Sequence, residues 1–251
     1  MTVFRTGLSA LALIFSASTS MAAKQLDIVE TITPGAAPAP EAEQSAYLFA
    51  YFKDETHSLH FAVSSDGYSF TDVNNGEPVL LGRDIAEQKG IRDPHIMRGP
   101  DGAFYLAMTD LHIFGERDGV RTTRWERPAE AFGWGNNRAM IFMKSFDLVH
   151  WTHHIVRVDR LFPETAKIGT AWAPEMIYDP AAKKIMVYYS TRDGTDTDHM
   201  VYTHADDAFT TLTAPPKPLF TYPKAKISTI DGDITKIGDK YHLFYVAHDK
   251  P

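Results

Sequence analysis

The 251-residue sequence contains no cysteine, which excludes disulfide bonds, cysteine nucleophiles and lipid attachment through cysteine. It has no apolar run near the ~20 residues that a membrane-spanning helix needs. It also has no block of like charges, and its net charge of -7 argues against a nucleic-acid partner. No segment after the N-terminus shows the apolar periodicity of an amphipathic helix. These absences leave a β-rich globular domain as the favoured class.

The N-terminus has the three parts of a secretory signal peptide. Arg5 precedes an apolar run over residues 7–15, and small residues follow as far as Ala23. We therefore expect a signal peptide over residues 1–23, export to the periplasm or the outside of the cell, and no membrane attachment after cleavage. A membrane anchor is the alternative, which the shortness of the run disfavours. Residues 24–45 are rich in proline and alanine and are predicted to form a linker.

Residues 46–251 alternate short aromatic and β-branched runs with turn clusters. A Ser-x-Asp turn follows two of the runs, in SSDGYSF and KSFDLVHW, and a weaker copy occurs in THADDAFTTL. A longer unit recurs as RDPHIMRGPDGAFYL, APEMIYDPAAKKIMVYY and IDGDITKIGDKYHLFY. Repeats built only of strands predict an all-β fold of four-stranded propeller blades. A β-sandwich gives no reason for an acidic residue to recur in each unit.

The acidic residues of the recurring unit are Asp93, Glu175 and Asp231. The innermost strand of each propeller blade starts beside the central channel, so these carboxylates are expected to point into one cavity. Two carboxyl groups in one cavity are what hydrolysis of a glycosidic bond requires. Arg92 and His95 flank Asp93, and their positive charge is expected to keep it ionised, as a general base must be.

For Asp93 taken alone, an ordinary Asp-Pro turn is an equally good interpretation. Pro94 is expected to hold the Asp93 backbone extended at the start of a strand.

In this order the motifs resemble glycoside hydrolase family 43, and the resemblance extends from Tyr47 to Tyr245. It rests on RDPHI with GAFYLAMTD, on TAWAPEMIYD, and on STIDGDITKIGDKYHLFY. The resemblance implies a five-bladed β-propeller that hydrolyses arabinose- or xylose-containing plant polysaccharides with inversion. The linkages would be α-L-arabinofuranosyl or β-D-xylosyl. We expect no cofactor, and because no histidine pair has a zinc-type spacing, no metal site.

The resemblance also assigns roles to individual residues. Asp93 matches the general base. Asp231, with Asp233 as second choice, matches the carboxylate that orients the general acid and tunes its pKa. Trp172 and Glu175 of the WAPE motif would line the sugar site, and Glu175 is disfavoured as the proton donor. For Trp172, a position in the core is equally consistent with the sequence.

Four further residues are candidates for substrate contact. His95 lies beside the expected base, and Arg138 follows the Gly-Asn-Asn stretch ahead of a strand. A structural salt bridge is an equal alternative for Arg138. Trp134, together with Trp125, lies in a long polar insertion, and such loops often carry binding residues at the mouth of a propeller.

The resemblance places the general acid in a Glu-Gly-Pro-like motif, one blade beyond IDGD. The 251 residues contain no such motif. We therefore expect about three blades plus an N-terminal ring-closing segment, a partial propeller from a C-terminally truncated family member that is inactive as given. The alternatives are a non-catalytic carbohydrate-binding propeller and a truncated product with no stable function.

Overall fold

The computed structural model describes residues 26–35 and 43–249. The predicted signal peptide, residues 1–23, lies outside the described residues. The strands, in chain order, are β1 (Asp27–Ile28), β2 (Tyr47–Phe52), β3 (Leu59–Ser64), β4 (Thr71–Asp72), β5 (Ile91–Arg98), β6 (Phe104–Asp110), β7 (Ala139–Ser145), β8 (His150–Arg157), β9 (Ile168–Asp179), β10 (Lys184–Asp193), β11 (His199–His204), β12 (Lys217–Pro218), β13 (Thr229–Ile237) and β14 (Lys240–Ala247). The all-β prediction is confirmed.

Helices in the described residues are single turns. They are α1 (Gly82–Ile85), α2 (Ala129–Phe132) and α3 (Val158–Leu161), with 3₁₀ turns at Val73–Gly76 and Pro163–Thr165. No helix in this part of the chain is long and apolar enough to cross a membrane. The short helices lie in the connections between strands.

The strands form four sheets that follow one another along the chain. Their orders are β2-β3-β4, then β1-β8-β7-β6-β5, then β12-β11-β10-β9, and finally β13-β14. Within each sheet, consecutive strands pair antiparallel. One edge strand of each sheet contacts the corresponding edge strand of the next sheet, β2 with β5, β5 with β9, and β9 with β13. This is the arrangement of propeller blades whose innermost strands surround an axis.

The strand β1 comes from the segment that the sequence predicts to be a linker, residues 24–45. It pairs in parallel with β8 at the outer edge of the second sheet, with Asp27 opposite His150 and Ile28 opposite Trp151. The start of the predicted linker is therefore part of a blade.

The apolar core lies between the sheets, and the second sheet is buried on both faces. In β7, Met140 and Phe142 pack towards the third sheet, whereas Ile141 and Met143 pack towards the first. Successive side chains of a strand point to opposite faces, so burial of both faces requires an uninterrupted apolar run. The run AMIFM in β7 has this pattern.

The Ser-x-Asp turns have the same geometry in two blades. The Ser64 hydroxyl accepts hydrogen bonds from the backbone N–H groups of Asp66 and Gly67. The Asp66 carboxylate accepts hydrogen bonds from the backbone N–H groups of Tyr68 and Ser69. Ser145 and Asp147 make the equivalent bonds after β7. The predicted repeat of the turn is confirmed, and its role is to close a hairpin within a blade.

The first and fourth sheets carry exposed apolar side chains. Ile237, Phe244 and Val246 are exposed on one face of the β13–β14 hairpin, and Tyr47 and Phe49 are exposed on β2. Apolar patches of this kind on sheets favour association between copies. We expect the 251-residue chain to self-associate at micromolar concentrations.

The double substitution Phe49→Lys with Phe244→Lys should lower the self-associated fraction at least threefold in sedimentation velocity. Tyr68→Lys is the matched control, because Tyr68 is 92% exposed in a turn outside the two faces. An equal reduction by Tyr68→Lys would mean that net charge, and not the two faces, governs association.

Candidate active site

The strands β5, β9 and β13 are interrupted at the same place. Asp93, Ala173 and Asp231 each have a positive φ, of 48°, 44° and 52°, and the pairing register of each strand shifts there. A positive φ is uncommon for residues other than glycine, and a β-bulge redirects the side chain beside it. The expectation that Pro94 holds Asp93 extended is wrong. The three bulge residues occupy equivalent positions, and each is followed directly by a proline or a glycine.

This equivalence corrects the alignment of the acidic residues. Glu175 lies two residues beyond its bulge residue, where His95 follows Asp93 and Asp233 follows Asp231. Asp93 and Asp231 are therefore true counterparts, whereas Glu175 belongs to the second position of the unit. The prediction that Glu175 is the counterpart of Asp93 and Asp231 is therefore wrong, because Ala173 occupies the equivalent position.

The Asp93 carboxylate is half-buried and has a defined hydrogen-bond partner. The Thr109 hydroxyl donates to Asp93 Oδ2 over 2.9 Å, and the same oxygen of Thr109 accepts from the Ala173 N–H over 2.8 Å. Burial raises the pKa of the Asp93 carboxyl, and the Arg92 guanidinium and the Thr109 hydroxyl oppose that rise, whereas Asp231 adds to it. A carboxyl whose pKa is raised is a stronger proton acceptor once it is ionised.

Arg92 and His95, which flank Asp93, do not form the predicted pair of cations. Arg92 pairs with Asp54 over 2.5 Å and lies 4.5 Å above the Phe52 ring. His95 Nδ1 accepts from the Met176 N–H over 3.1 Å, and burial lowers the pKa of His95 to about 4. The expectation that His95 supplies positive charge is therefore wrong, because a buried imidazole loses its proton. His95 instead joins β5 to β9.

Asp231 lies on β13, and its carboxyl is influenced by the Arg92 guanidinium, as the Asp93 carboxyl is. Its backbone N–H donates to the Ser190 hydroxyl over 3.2 Å. Desolvation raises the pKa of the Asp231 carboxyl, whereas His248 and Arg92 lower it. Because Arg92 acts on both carboxyls and Asp231 raises the pKa of Asp93, the two carboxyls share one electrostatic environment.

Glu175 and Asp233 form a carboxyl pair beside them. Burial, followed by the Asp233 carboxyl, raises the pKa of Glu175 to about 8, and a hydrogen bond joins the two side chains. The Tyr188 hydroxyl donates to Glu175 Oε2 over 3.1 Å, and also accepts from the Ile234 N–H over 2.9 Å. Two carboxyls close together cannot both ionise at low cost, so Glu175 keeps its proton at neutral pH.

Trp172 is half-buried and belongs to a group of three indoles. Its Nε1 donates to the Gly135 carbonyl over 2.9 Å, and its ring meets Trp134 edge to face at 5.7 Å. Trp134 meets Trp125 in the same way at 5.3 Å. The structure thus joins the long insertion to the WAPE motif.

Arg138 is placed in the insertion loop. Its guanidinium pairs with Glu126, which also accepts from Gln88. The pairing corresponds to the structural salt bridge that the sequence left open, and substrate contact by Arg138 stays a prediction.

Two site residues were not singled out from the sequence. Thr109 and Ser190 occupy equivalent places on β6 and β10, where each hydroxyl accepts the N–H of the bulge residue in the next sheet. A hydroxyl residue near the end of the second strand of each unit, in LAMTD and VYYST, was the available signal. Among residues 26–35 and 43–249, no group of three or more His, Asp or Glu side chains is placed to hold a metal ion.

Comparison with known proteins identifies relatives of this fold. An α-L-arabinofuranosidase of Bifidobacterium longum subsp. longum is 26% identical over 198 residues, which are 72% of this chain and 17% of that protein. The solved structure of an exo-1,5-α-L-arabinanase from a bovine ruminal metagenomic library aligns with a TM-score of 0.53 at 16% identity, over 81% of this chain and 61% of the other. A xylan β-1,4-xylosidase from Bacillus halodurans aligns with a TM-score of 0.53 at 15% identity, over 82% and 35%.

The chain thus spans less than two thirds of each of these relatives. The structural neighbours are five-bladed β-propellers, so the predicted fold is confirmed, with the chain forming part of such a propeller. A sequence profile related to glycoside hydrolase family 43, described as a probable glycosyl hydrolase domain, matches residues 43–250. The chain therefore belongs to this family of glycosyl hydrolase domains related to glycoside hydrolase family 43.

Proposed function

We propose that the chain carries the base side of an inverting glycosidase site for α-L-arabinofuranosyl or β-D-xylosyl linkages. The supporting observation is the pair Asp93 and Asp231, which occupy equivalent bulges on β5 and β13 under the influence of one guanidinium, that of Arg92. The names of the relatives, an arabinofuranosidase, an arabinanase and a xylosidase, support the choice of sugars.

In this proposal Asp93 takes a proton from the water that attacks the anomeric carbon. The Thr109 hydroxyl fixes one carboxylate oxygen and leaves the other for that water. Inversion requires room for water between the base and the proton donor, roughly 6.5–9.5 Å between the two carboxyls. Asp231 orients the donor, and the protonated Glu175 offers both a hydrogen-bond donor and an acceptor to sugar hydroxyls.

The family pattern places the proton donor in a Glu-Gly-Pro-like motif. No such motif occurs in these 251 residues. We propose that these residues bind a glycan without cleaving it. Glu175 is the internal alternative for the donor, because its pKa of about 8 keeps it protonated. A non-catalytic carbohydrate-binding role is the alternative function.

Turnover and binding assays on the 251-residue chain separate these readings. We expect no release of p-nitrophenol from the aryl α-L-arabinofuranoside or β-D-xyloside above the buffer rate, but measurable binding of arabino- or xylo-oligosaccharides in calorimetry. Turnover would contradict the proposal. If Glu175→Gln then abolished that turnover, Glu175 would be the donor.

The role of Asp93 has its own control. Asp93→Asn keeps the size of the side chain and the acceptor for Thr109, so sugar affinity should stay within about threefold of the wild type. Loss of binding in Asp93→Asn would identify Asp93 as structural.

Sequencing beyond the Pro251 codon tests the hydrolase against the binding module, because an open reading frame with a Glu-Gly-Pro motif supports the hydrolase.

We also propose that the protein is exported, on the strength of the N-terminal sequence alone. A mature N-terminus at Ala23 or Lys24 is expected from sequencing of the purified protein, and an N-terminus at Met1 would contradict export by this route.

A further inference from the structure

Trp134 is an exposed indole on a tightly fixed loop. The side chain is 54% exposed, yet four consecutive backbone carbonyls around it are all held by side-chain donors. Arg192 donates to the carbonyls of residues 132 and 134 over 3.2 and 2.6 Å. Asn136 donates to that of residue 133 over 2.9 Å, and Trp172 to that of residue 135 over 2.9 Å.

Glycines on either side of Trp134 make this close packing possible. Gly133 and Gly135 have φ of 77° and 63°, conformations that glycine adopts without strain. A Cβ atom at Gly133 would lie 2.8 Å from the Arg192 guanidinium, and one at Gly135 would lie 2.8 Å from the Trp172 ring. The backbone therefore approaches both anchoring side chains as closely as glycine permits.

The indole itself is supported by rings and open on its remaining surface. Trp134 packs edge to face on Trp172 at 81° and on Trp125 at 66°, and Trp125 is only 6% exposed. These contacts and the fixed backbone leave the ring little freedom, so little conformational entropy is lost when a ligand binds to it. Rigid, preorganised aromatic side chains are typical anchors in binding sites.

The position of Trp134 ties it to the candidate active site. Its neighbour Trp172 directly precedes the bulge residue Ala173, whose N–H is bonded to the Thr109 hydroxyl that holds Asp93. The exposed indole is thus one aromatic contact away from the strand that faces the carboxyls.

We propose that Trp134 is a stacking platform for a sugar ring outside the carboxylate cavity, so that the site favours oligosaccharides over single sugars. The apolar C–H face of a pyranose or furanose matches the exposed surface of an indole, while its hydroxyls stay in water. This inference rests on the proposed function, because the second ring belongs to the same glycan.

The test measures affinity against chain length by calorimetry. The probes are α-1,5-linked arabino-oligosaccharides and β-1,4-linked xylo-oligosaccharides of one to five units. For the better-bound series, wild-type affinity should rise at least tenfold from one unit to three. Trp134→Ala should remove that rise and leave the single-unit affinity within twofold, and Trp134→Phe should keep part of it. Tyr68→Ala, at an exposed aromatic outside the cluster, should match the wild type at every length.

The outcomes separate this inference from the proposed function. If the wild type binds oligosaccharides and Trp134→Ala binds each length as tightly as the wild type does, the platform is refuted and the proposed function stands. If the wild type binds no sugar of either series, both fail. The near-ultraviolet circular dichroism of each variant confirms that it is folded, and Trp134→Phe carries the test should the alanine variant unfold.

Discussion

Replacing Arg192 with alanine should lower the free energy of unfolding by about 3–5 kcal/mol, because a buried charge pair loses one partner. Arg192 is buried and pairs with Asp198 over 2.8 Å. Its other nitrogens donate to carbonyls of the insertion loop and of Gly194. The substitution leaves the Asp198 carboxylate without its cation and several carbonyls without a donor. Urea unfolding followed by tryptophan fluorescence measures the change.

A surface arginine provides the matched control for this substitution. Arg83 is 71% exposed and meets Asp84 at 3.9 Å, so Arg83→Ala should change the unfolding free energy by less than about 0.5 kcal/mol. Similar losses in the two variants would show that Arg192 does not fix the loop. Arg192→Ala should also remove the chain-length dependence of sugar affinity where it remains folded, since Trp134 then loses its support.

The second large effect is a gain in stability at high pH when Glu175 is replaced by glutamine. The pKa of this carboxyl is raised from 4.5 to about 8 in the folded chain. Its contribution to stability is therefore fully present below pH 4.5 and is lost as the pH rises through 8. Gln cannot ionise and reproduces the donor and acceptor of the protonated acid. Glu175→Gln should match the wild type at pH 4.5 and exceed its stability by about 2 kcal/mol at pH 9, a value reduced for partial exposure.

The carboxylate of Asp66 gives a control of opposite sign. Hydrogen bonds from the backbone N–H groups of Ser69 and Tyr68 lower the pKa of Asp66 to about 2. Its contribution is present above the ordinary pKa near 4 and is lost as the pH falls through 2, so Asp66→Asn should be less stable than the wild type at pH 7. Thermal unfolding at pH 4.5, 7 and 9 measures both variants. Parallel curves for wild type and Glu175→Gln would show that Glu175 is ionised throughout.

Much of the fold could be predicted because strands and turns depend on local chemistry. The apolar runs of β6, β7 and β10 and the Ser-x-Asp turns after β3 and β7 are visible in the sequence, since each depends on neighbouring residues. The order of the sheets then follows from the repeat. The place of β1 could not be predicted, because two residues that pair with β8 leave no periodic pattern.

The candidate site was predictable in its residues but not in its electrostatics. Asp93 and Asp231 stand out through their motifs, whereas the protonation of Glu175 and the neutrality of His95 depend on burial among groups from other strands. Thr109 lies far from Ala173 in sequence and meets it only in the fold. The joining of Trp134 to Trp172 depends on the path of a long loop, which sequence patterns do not specify.

The bulge at Ala173 has a consequence for how backbone outliers at catalytic residues are interpreted. A left-handed acidic residue in an active site is commonly attributed to conformational energy stored for chemistry. Ala173 has the same conformation and carries no reactive group. The outlier is accordingly a property of the architecture, a bulge that recurs at the same place in β5, β9 and β13 whatever side chain occupies it. Such a bulge allows a reactive group to be gained or lost by a single substitution while the backbone stays unchanged.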